Sequence, residues 1–142
     1  MPVLDTYLFF TGQCAEAMRF YERTLGGRIE MMMTHADAPP SENAPPPGMR
    51  ERIMHARLVF GERERVLMAS DAMAGQPYDK MQGFCLSWNC ASAAEARRIF
   101  DALAQGGQVR MPLQKTFWAE AFGMTVDRFG TPWMVGCETP PK

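Results

Sequence analysis

Apolar and polar positions along this chain recur in two matching stretches. Residues 3–11, Val-Leu-Asp-Thr-Tyr-Leu-Phe-Phe-Thr, have the β-branched and aromatic content of a strand. Gly12-Gln13 interrupts it. Ala17, Phe20, Tyr21 and Leu25 then fall at helical spacing, which predicts a helix over 14–25 with one apolar face. Gly26-Gly27 offers the left-handed residue that stops such a helix. A strand over 28–34 follows. Residues 52–60 and 65–71 read as a hairpin closed by Gly61-Glu62-Arg63-Glu64.

If Phe60 pairs with Arg65, then Leu58 faces Leu67, Ala56 faces Ala69, Arg57 faces Met68 and His55 faces Ser70. One face of the hairpin then carries Ala56, Leu58, Phe60, Leu67 and Ala69, a core surface. The other carries His55, Arg57, Val59, Val66, Met68 and Ser70, the mixture expected of a ligand cavity or a wet surface.

A connector over 72–82, rich in Gly, Pro, Asp and Lys, leads to the second stretch. Residues 84–89 alternate cleanly, with Phe84, Leu86 and Trp88 on one side and Cys85, Ser87 and Asn89 on the other. Ser92 and Glu95 fit a capping box at the start of a helix whose buried stripe is Ala96, Ile99, Phe100 and Leu103. Gly106-Gly107 ends that helix. A strand over 108–111, a loop over 112–121 and strands over 122–127 and 133–137 complete the chain, the last pair joined by the turn Asp127-Arg128-Phe129-Gly130-Thr131-Pro132.

The two helices repeat one another. Ala15-Glu16-Ala17-Met18-Arg19-Phe20-Tyr21 matches Ala94-Glu95-Ala96-Arg97-Arg98-Ile99-Phe100, and both segments run on to a Gly-Gly, with one residue inserted late in the second copy. Such self-similarity marks a duplicated unit. The element order is β-α-β-β-β, twice, with module 1 at about 1–71, a linker at about 72–82 and module 2 at about 83–139 of one 142-residue domain. The predicted class is α+β. The two modules are expected to bring their sheets together edge to edge, giving a curved mixed sheet with the helices on its outer face.

Composition narrows the function. A net charge of −1 without a Lys/Arg run excludes the electrostatic footprint of a nucleic-acid binder. No apolar run is long enough to span a bilayer. The stretch Pro2-Val3-Leu4-Asp5 shows no signal-peptide pattern, so a cytoplasmic location is expected. Cys14, Cys85, Cys90 and Cys137 match no zinc or redox spacing and read as buried, reduced thiols. Thirteen methionines, three of them at 31–33, point to adaptable core or pocket walls. The loop over 38–48 holds five prolines and is either a lid or a plain solvent loop. His35, beside it, is expected in solvent.

Several motifs in one order carry a resemblance covering nearly the whole chain. They are Tyr7-Leu8-Phe9-Phe10, His55-Ala56-Arg57-Leu58, Leu67-Met68-Ala69-Ser70-Asp71, Gln114-x-Thr116-Phe117-Trp118 and Phe122-Gly123-x-x-x-Asp127-Arg128-Phe129-Gly130-x-Pro132-Trp133-Met134. With the paired βαβββ order, they resemble the glyoxalase/bleomycin-resistance/dioxygenase (vicinal oxygen chelate) superfamily, in its PhnB-like branch. Proteins of that branch are often labelled demethylubiquinone methyltransferase-like. The sequence lends that label no support, having no G-x-G and no run of parallel strand-helix units.

The resemblance implies four inward ligand positions for a divalent metal. They fall at Thr6 or Tyr7, at Met68, at Cys85 (Phe84 with a shift) and at Met134. None is the carboxylate or imidazole that a hard ion takes, so no cofactor is expected, a divalent metal being the alternative. The candidate pocket residues are Arg57, Met68, Ser70, Cys85, Ser87, Gln114, Trp118 and Met134. His55 is the single candidate for acid–base work.

For most of these the bland reading stands beside the sharp one: a salt bridge for Arg57, a cap or turn for Ser70 and Asp71, packing for Trp118. Three functions compete. One is a metal-free protein that binds a small molecule. Another is a lyase, isomerase or transferase using His55. The last is an interaction module whose sheet face is filled by its own side chains. The resemblance also implies a homodimer, with modules paired in cis or exchanged.

Overall fold

The computed structural model describes residues 2–38, 48–61, 65–73 and 77–138. The tip of the predicted hairpin at 62–64 and most of the proline-rich loop, 39–47, lie outside them, and with that loop its reading as a lid. The chain divides into two compact units, 1–78 and 79–142, and the boundary falls inside the predicted linker.

The first unit contains β1 (Thr6–Phe10), α1 (Cys14–Leu25), β2 (Arg28–Thr34), a short 3-10 turn at His35–Asp37, β3 (Ile53–Phe60) and β4 (Arg65–Asp71). Its sheet runs β1-β4-β3-β2, with β1 parallel to β4 and the other pairs antiparallel. The second contains β5 (Leu86–Asn89), α2 (Ala93–Ala104), β6 (Gln108–Gln114), β7 (Ala119–Val126) and β8 (Pro132–Glu138). Its sheet runs β5-β8-β7-β6, with β5 parallel to β8. Strand for strand, the second unit repeats the first. Two four-stranded mixed sheets with one helix each make the chain α+β, as expected.

The core of each unit lies between helix and sheet. α1 packs on β2, β3 and β4 and buries Ala17, Met18, Phe20, Tyr21 and Leu25, while Leu8, Phe10, Ala56, Leu58, Leu67 and Ala69 are the buried alternate residues of the strands. Each large side chain withdrawn in this way stabilises by about 1.5–3 kcal/mol. α2 packs on β6, β7 and β8 and buries Ala96, Ile99, Phe100 and Leu103; Ala119, Ala121, Trp133, Val135 and Cys137 are buried on the strands. The hairpin register is the predicted one, with Phe60 opposite Arg65, Leu58 opposite Leu67 and Arg57 opposite Met68.

Two buried carboxylates fix the ends of these elements. Gln13, before α1, makes no side-chain cap. Asp71 at the end of β4 serves instead, its Oδ1 accepting from the Gly12 (2.7 Å) and Cys14 (3.0 Å) amides and its Oδ2 from the Ile53 amide (2.9 Å). A negative group there also complements the positive end of the helix. In the second unit Asp127 Oδ1 accepts from the amides of Phe129 (2.9 Å) and Thr131 (3.0 Å), and Oδ2 from the Trp133 indole (2.8 Å). The Ser92 hydroxyl accepts from the Glu95 amide at 3.1 Å, the first half of the predicted capping box. Gly26, at φ 79°, supplies the left-handed stop of α1.

Three expectations change. The strand over 84–89 begins only at Leu86: its partner β8 starts at Pro132, which has no N–H to donate, so Phe84 and Cys85 lie outside the ladder. The predicted loop over 112–121 shrinks to 115–118. Pro112 is tolerated within β6 because that strand is an edge, with its register slipping between Met111 and Gln114. His35 is half-buried, and its Nε2 atom is out of water without a hydrogen-bond partner. Among the described residues no helix is long and apolar enough to cross a membrane.

Candidate functional site

Alternation along the strands puts the chemistry on the sheet faces that point away from the helices. In the first unit one register row reads Tyr7, Met68, Arg57, Met31 across β1, β4, β3 and β2. Beside it lie Phe9 and Ser70 as one pair and His55 and Met33 as another. His55, Arg57, Met68 and Ser70, all singled out from sequence, therefore share one face. Tyr7, Phe9 and Met31 are exposed on it, whereas Ser70 is buried.

The polar centre of this face is a contact the sequence reading did not single out. Tyr7 Oη lies 3.2 Å from His55 Nδ1, and the two rings stack with centroids 5.7 Å apart and planes 28° apart. Phe9 leans on Tyr7 at 5.1 Å. Whether Tyr7 donates to Nδ1 or Nδ1–H donates to the hydroxyl, the contact holds the imidazole in its orientation. The Tyr78 hydroxyl donates to the Phe9 carbonyl at 2.6 Å, and burial pushes its pKa upward.

Arg57 takes the salt-bridge role in part. Its Nε is 3.7 Å from Glu30 Oε1, an ion-pair distance too long for a hydrogen bond, and that buried nitrogen has no hydrogen-bond partner. Glu30 sits where the β2–β3 register shifts, and that irregularity left no trace in the sequence pattern. Tyr7 and Phe9 did leave one: between buried Leu8 and Phe10 they must occupy the opposite face.

In the second unit the matching row reads Ser87, Met134, Met124, Met111, and the next reads Asn89, Gly136, Phe122, Gln114. Ser87, Gln114 and Met134 are thus on this face, with Gln114 on a strand rather than in a loop. Trp118 sits in the short β6–β7 loop, edge-on to Phe122 with centroids 5.6 Å apart, and Phe117 packs edge-on to it at 4.7 Å. Cys85 is half-buried but precedes the ladder, two residues short of the level of Met134.

The other thiols are held neutral. Burial, reinforced by the charge of Asp71, pushes Cys14 to about 12. Burial and the nearby Glu95 push Cys90 to about 11, and burial with Glu120 raises Cys137. A raised pKa disfavours the thiolate, the form that acts as nucleophile or metal ligand.

Register decides which residues stand where the resemblance places metal ligands. Tyr7, not Thr6, is level with Met68, and Ser87, not Cys85, is level with Met134. A phenol, a hydroxyl and two thioethers do not match the carboxylate and imidazole donors of a hard divalent ion. Neither the Tyr7–Met68 pair of the first unit nor the Ser87–Met134 pair of the second fits such an ion. Among the described residues no three His, Cys, Asp or Glu side chains gather into a ligand group. The strand-to-helix turn before α1 is equally unsuited to an anionic cofactor group, since the Asp71 carboxylate already takes the Gly12 and Cys14 amides.

Comparison with known proteins places these features in context. The sequence model of the family described as 3-demethylubiquinone-9 3-methyltransferase matches residues 3–136. Protein YjdN of Escherichia coli (strain K12) is 38% identical over 145 aligned residues, covering 95% of this chain and 94% of its own. Protein PA1353 from Pseudomonas aeruginosa shares 46% identity at a TM-score of 0.87, over 99% of this chain and all of that one. A putative 3-demethylubiquinone-9 3-methyltransferase, PhnB protein, from Bacillus cereus shares 25% identity at 0.78, over 96% and 99% of the two chains. At 14% identity and a TM-score of 0.64, a glyoxylase/bleomycin resistance protein/dioxygenase domain from Frankia sp. EAN1pec shares the fold over 98% of both chains.

Proposed function

Since the chain belongs to the family described as 3-demethylubiquinone-9 3-methyltransferase, on the glyoxalase/bleomycin-resistance fold of its PhnB-like relatives, we propose that it binds a small polar molecule on its open sheet faces without a divalent ion. The observation that carries this reading is the row Tyr7, Met68, Arg57, Met31, with His55 held against Tyr7. Aromatic rings and thioethers supply adaptable apolar contact there, while an imidazole and a guanidinium supply the few directional polar groups that a ligand site needs. In place of a Lewis acid, hydrogen bonds from His55 and Arg57 orient the ligand.

The test is a fragment screen by thermal shift, read out on protein labelled at the methionine methyls. Fragments that stabilise the protein are expected to move Met31, Met33 and Met68, and to lose that effect in His55→Ala and Arg57→Gln. Stabilising fragments that leave those methyls unmoved sink the reading.

One contact favours a second reading, in which His55 is the general acid–base of a lyase, isomerase or transferase. Tyr7 pre-orients the imidazole as such a role requires. If a substrate is turned over, Tyr7→Phe should alter the pH profile of kcat, and full turnover by His55→Ala would remove the role. The same resemblance supports a homodimer, for which sedimentation equilibrium should give twice the 16.0 kDa chain mass.

A further inference from the structure

The internal repeat allows one helix to be used as a template for the other. Aligned from their Ala-Glu-Ala starts, Met18 of α1 corresponds to Arg97 of α2, Tyr21 to Phe100, Glu22 to Asp101 and Leu25 to Ala104. These positions form one stripe, three, four and seven residues apart along the helix. In α1 the stripe is filled: Met18 and Tyr21 are fully buried, Leu25 is buried, and a Glu22 carboxylate oxygen accepts from the Ile29 amide of β2 at 2.6 Å.

In α2 Phe100 is buried like Tyr21, but the other three positions of the stripe are open. Leu25 has become Ala104, several carbons smaller, and Met18 has become Arg97, whose charged end stays in solvent. Asp101, one methylene shorter than Glu22, turns to Arg97 Nη1 at 3.3 Å. A groove of about 560 Å³ results between α2 and the edge strand β6. Its walls are Phe100, Ala104, Val109, Pro112 and Leu113, with Arg97, Asp101 and Gln105 at the rim.

We propose that this groove is a second small-molecule site, taking a compact aromatic carboxylate. Its volume lies within the range of ligand pockets, roughly 300–1,000 Å³. Exposed Val109 and Pro112 offer apolar contact to an aromatic body, with Phe100 and Leu113 buried beneath them. Arg97 is the anchor. Its Nη2 donates to the Leu113 carbonyl at 3.1 Å, which holds the guanidinium over the groove mouth. Its pairing with Asp101 is an exposed contact that a ligand carboxylate can replace with a two-pronged hydrogen bond. The groove is on the helix side of its sheet and uses none of the open-face residues, so it stands or falls separately from the function proposed above.

The experiment titrates 2-naphthoate into the full-length, 15N-labelled protein and follows the amides. The expected result is saturable shifts at Ala104, Val109 and Leu113. Ala104→Leu, which restores the residue of the first repeat and closes the groove, should weaken binding by about tenfold or more. Arg97→Met should weaken 2-naphthoate while leaving uncharged 2-naphthylmethanol unaffected, a readout that stands even if Ala104→Leu fails to fold. Shifts confined to Tyr7, His55 and Arg57, or equal binding by wild type and either variant, would overturn the proposal.

Discussion

In the first unit the buried aspartate, Asp71, ties the start of α1 to the start of β3; in the second, Asp127 ties a β-turn to the ring of Trp133. The open faces diverge in the same way. Where the first unit presents Tyr7, Met68, Arg57 and Met31, the second presents Ser87, Met134, Met124 and Met111 at equivalent strand positions. Only the Met68–Met134 and Met31–Met111 positions kept their side chain. The helix-side faces, by contrast, remain mostly apolar in both units, with Thr125 the buried polar exception on β7. Duplication therefore preserved what the helix–sheet core and the backbone ladder demand. It released the outward positions, where a change leaves the helix–sheet core untouched.

Several experiments can break or sharpen this comparison, and the largest effect belongs to the carboxylates. Asp127→Ala removes the acceptor of two buried donors and one part-buried donor and should cost about 3–5 kcal/mol in urea unfolding. Asp71→Ala should cost about 2–4 kcal/mol and free the amides of Gly12, Cys14 and Ile53 to exchange faster. If both variants unfold at the wild-type midpoint, the aspartates do not anchor the units.

The glycines that follow the two helices come next. A methyl group at Gly107 would be driven into the Val126 carbonyl, a backbone obstacle, whereas at Gly27 the nearest atoms are the Phe60 ring, 2.6 Å away, and the Val59 carbonyl, 3.0 Å away. Gly107→Ala should cost about 2–3 kcal/mol and Gly27→Ala about 1 kcal/mol, because a side chain yields where a strand does not. Reversal of that order in thermal melts would contradict the close approach of strand and turn.

Alkaline stability follows in size. The Cys14 thiol is raised to about 12 and that of Cys90 to about 11, both from 9.0. Above pH 9 the unfolded chain gives up protons that the native chain keeps, so unfolding is favoured as pH rises. The stabilisation is complete below pH 9 and lost toward the folded values, by at most about 1.4 kcal/mol per pH unit for each thiol. Cys14→Ala should flatten the denaturation profile up to about pH 12 and Cys90→Ala only up to about pH 11. Identical profiles for both variants and wild type would show that neither thiol is withdrawn from water.

Much of this architecture was legible in the chain itself. The Gly-Gly stops, the helical stripes and the alternation of 52–60 with 65–71 assign the faces, and the observed register is the one that follows from pairing Phe60 with Arg65. Motif matching alone put Cys85 level with Met134, because the ladder start set by Pro132 is a property of the partner strand. The Tyr7–His55 contact depends on β1 and β3 lying on either side of β4, a long-range arrangement that no local pattern encodes. Glu30 reaches Arg57 where the register slips, and the α2 groove becomes visible only when one helix is laid against the other. Local rules fix faces; they do not fix which faces meet.

The central claim is that the sheet faces of this glyoxalase fold carry a binding chemistry from which hard-metal ligands have been lost. The most direct test adds Mn2+ to EDTA-dialysed protein labelled at its methionine methyls and follows paramagnetic broadening. The account predicts that the Met68 and Met134 signals stay as sharp as those of buried Met18 when the ion is equimolar with the protein. Selective broadening of Met68 or Met134 at substoichiometric Mn2+ would contradict it, by placing an ion on the open face of that unit.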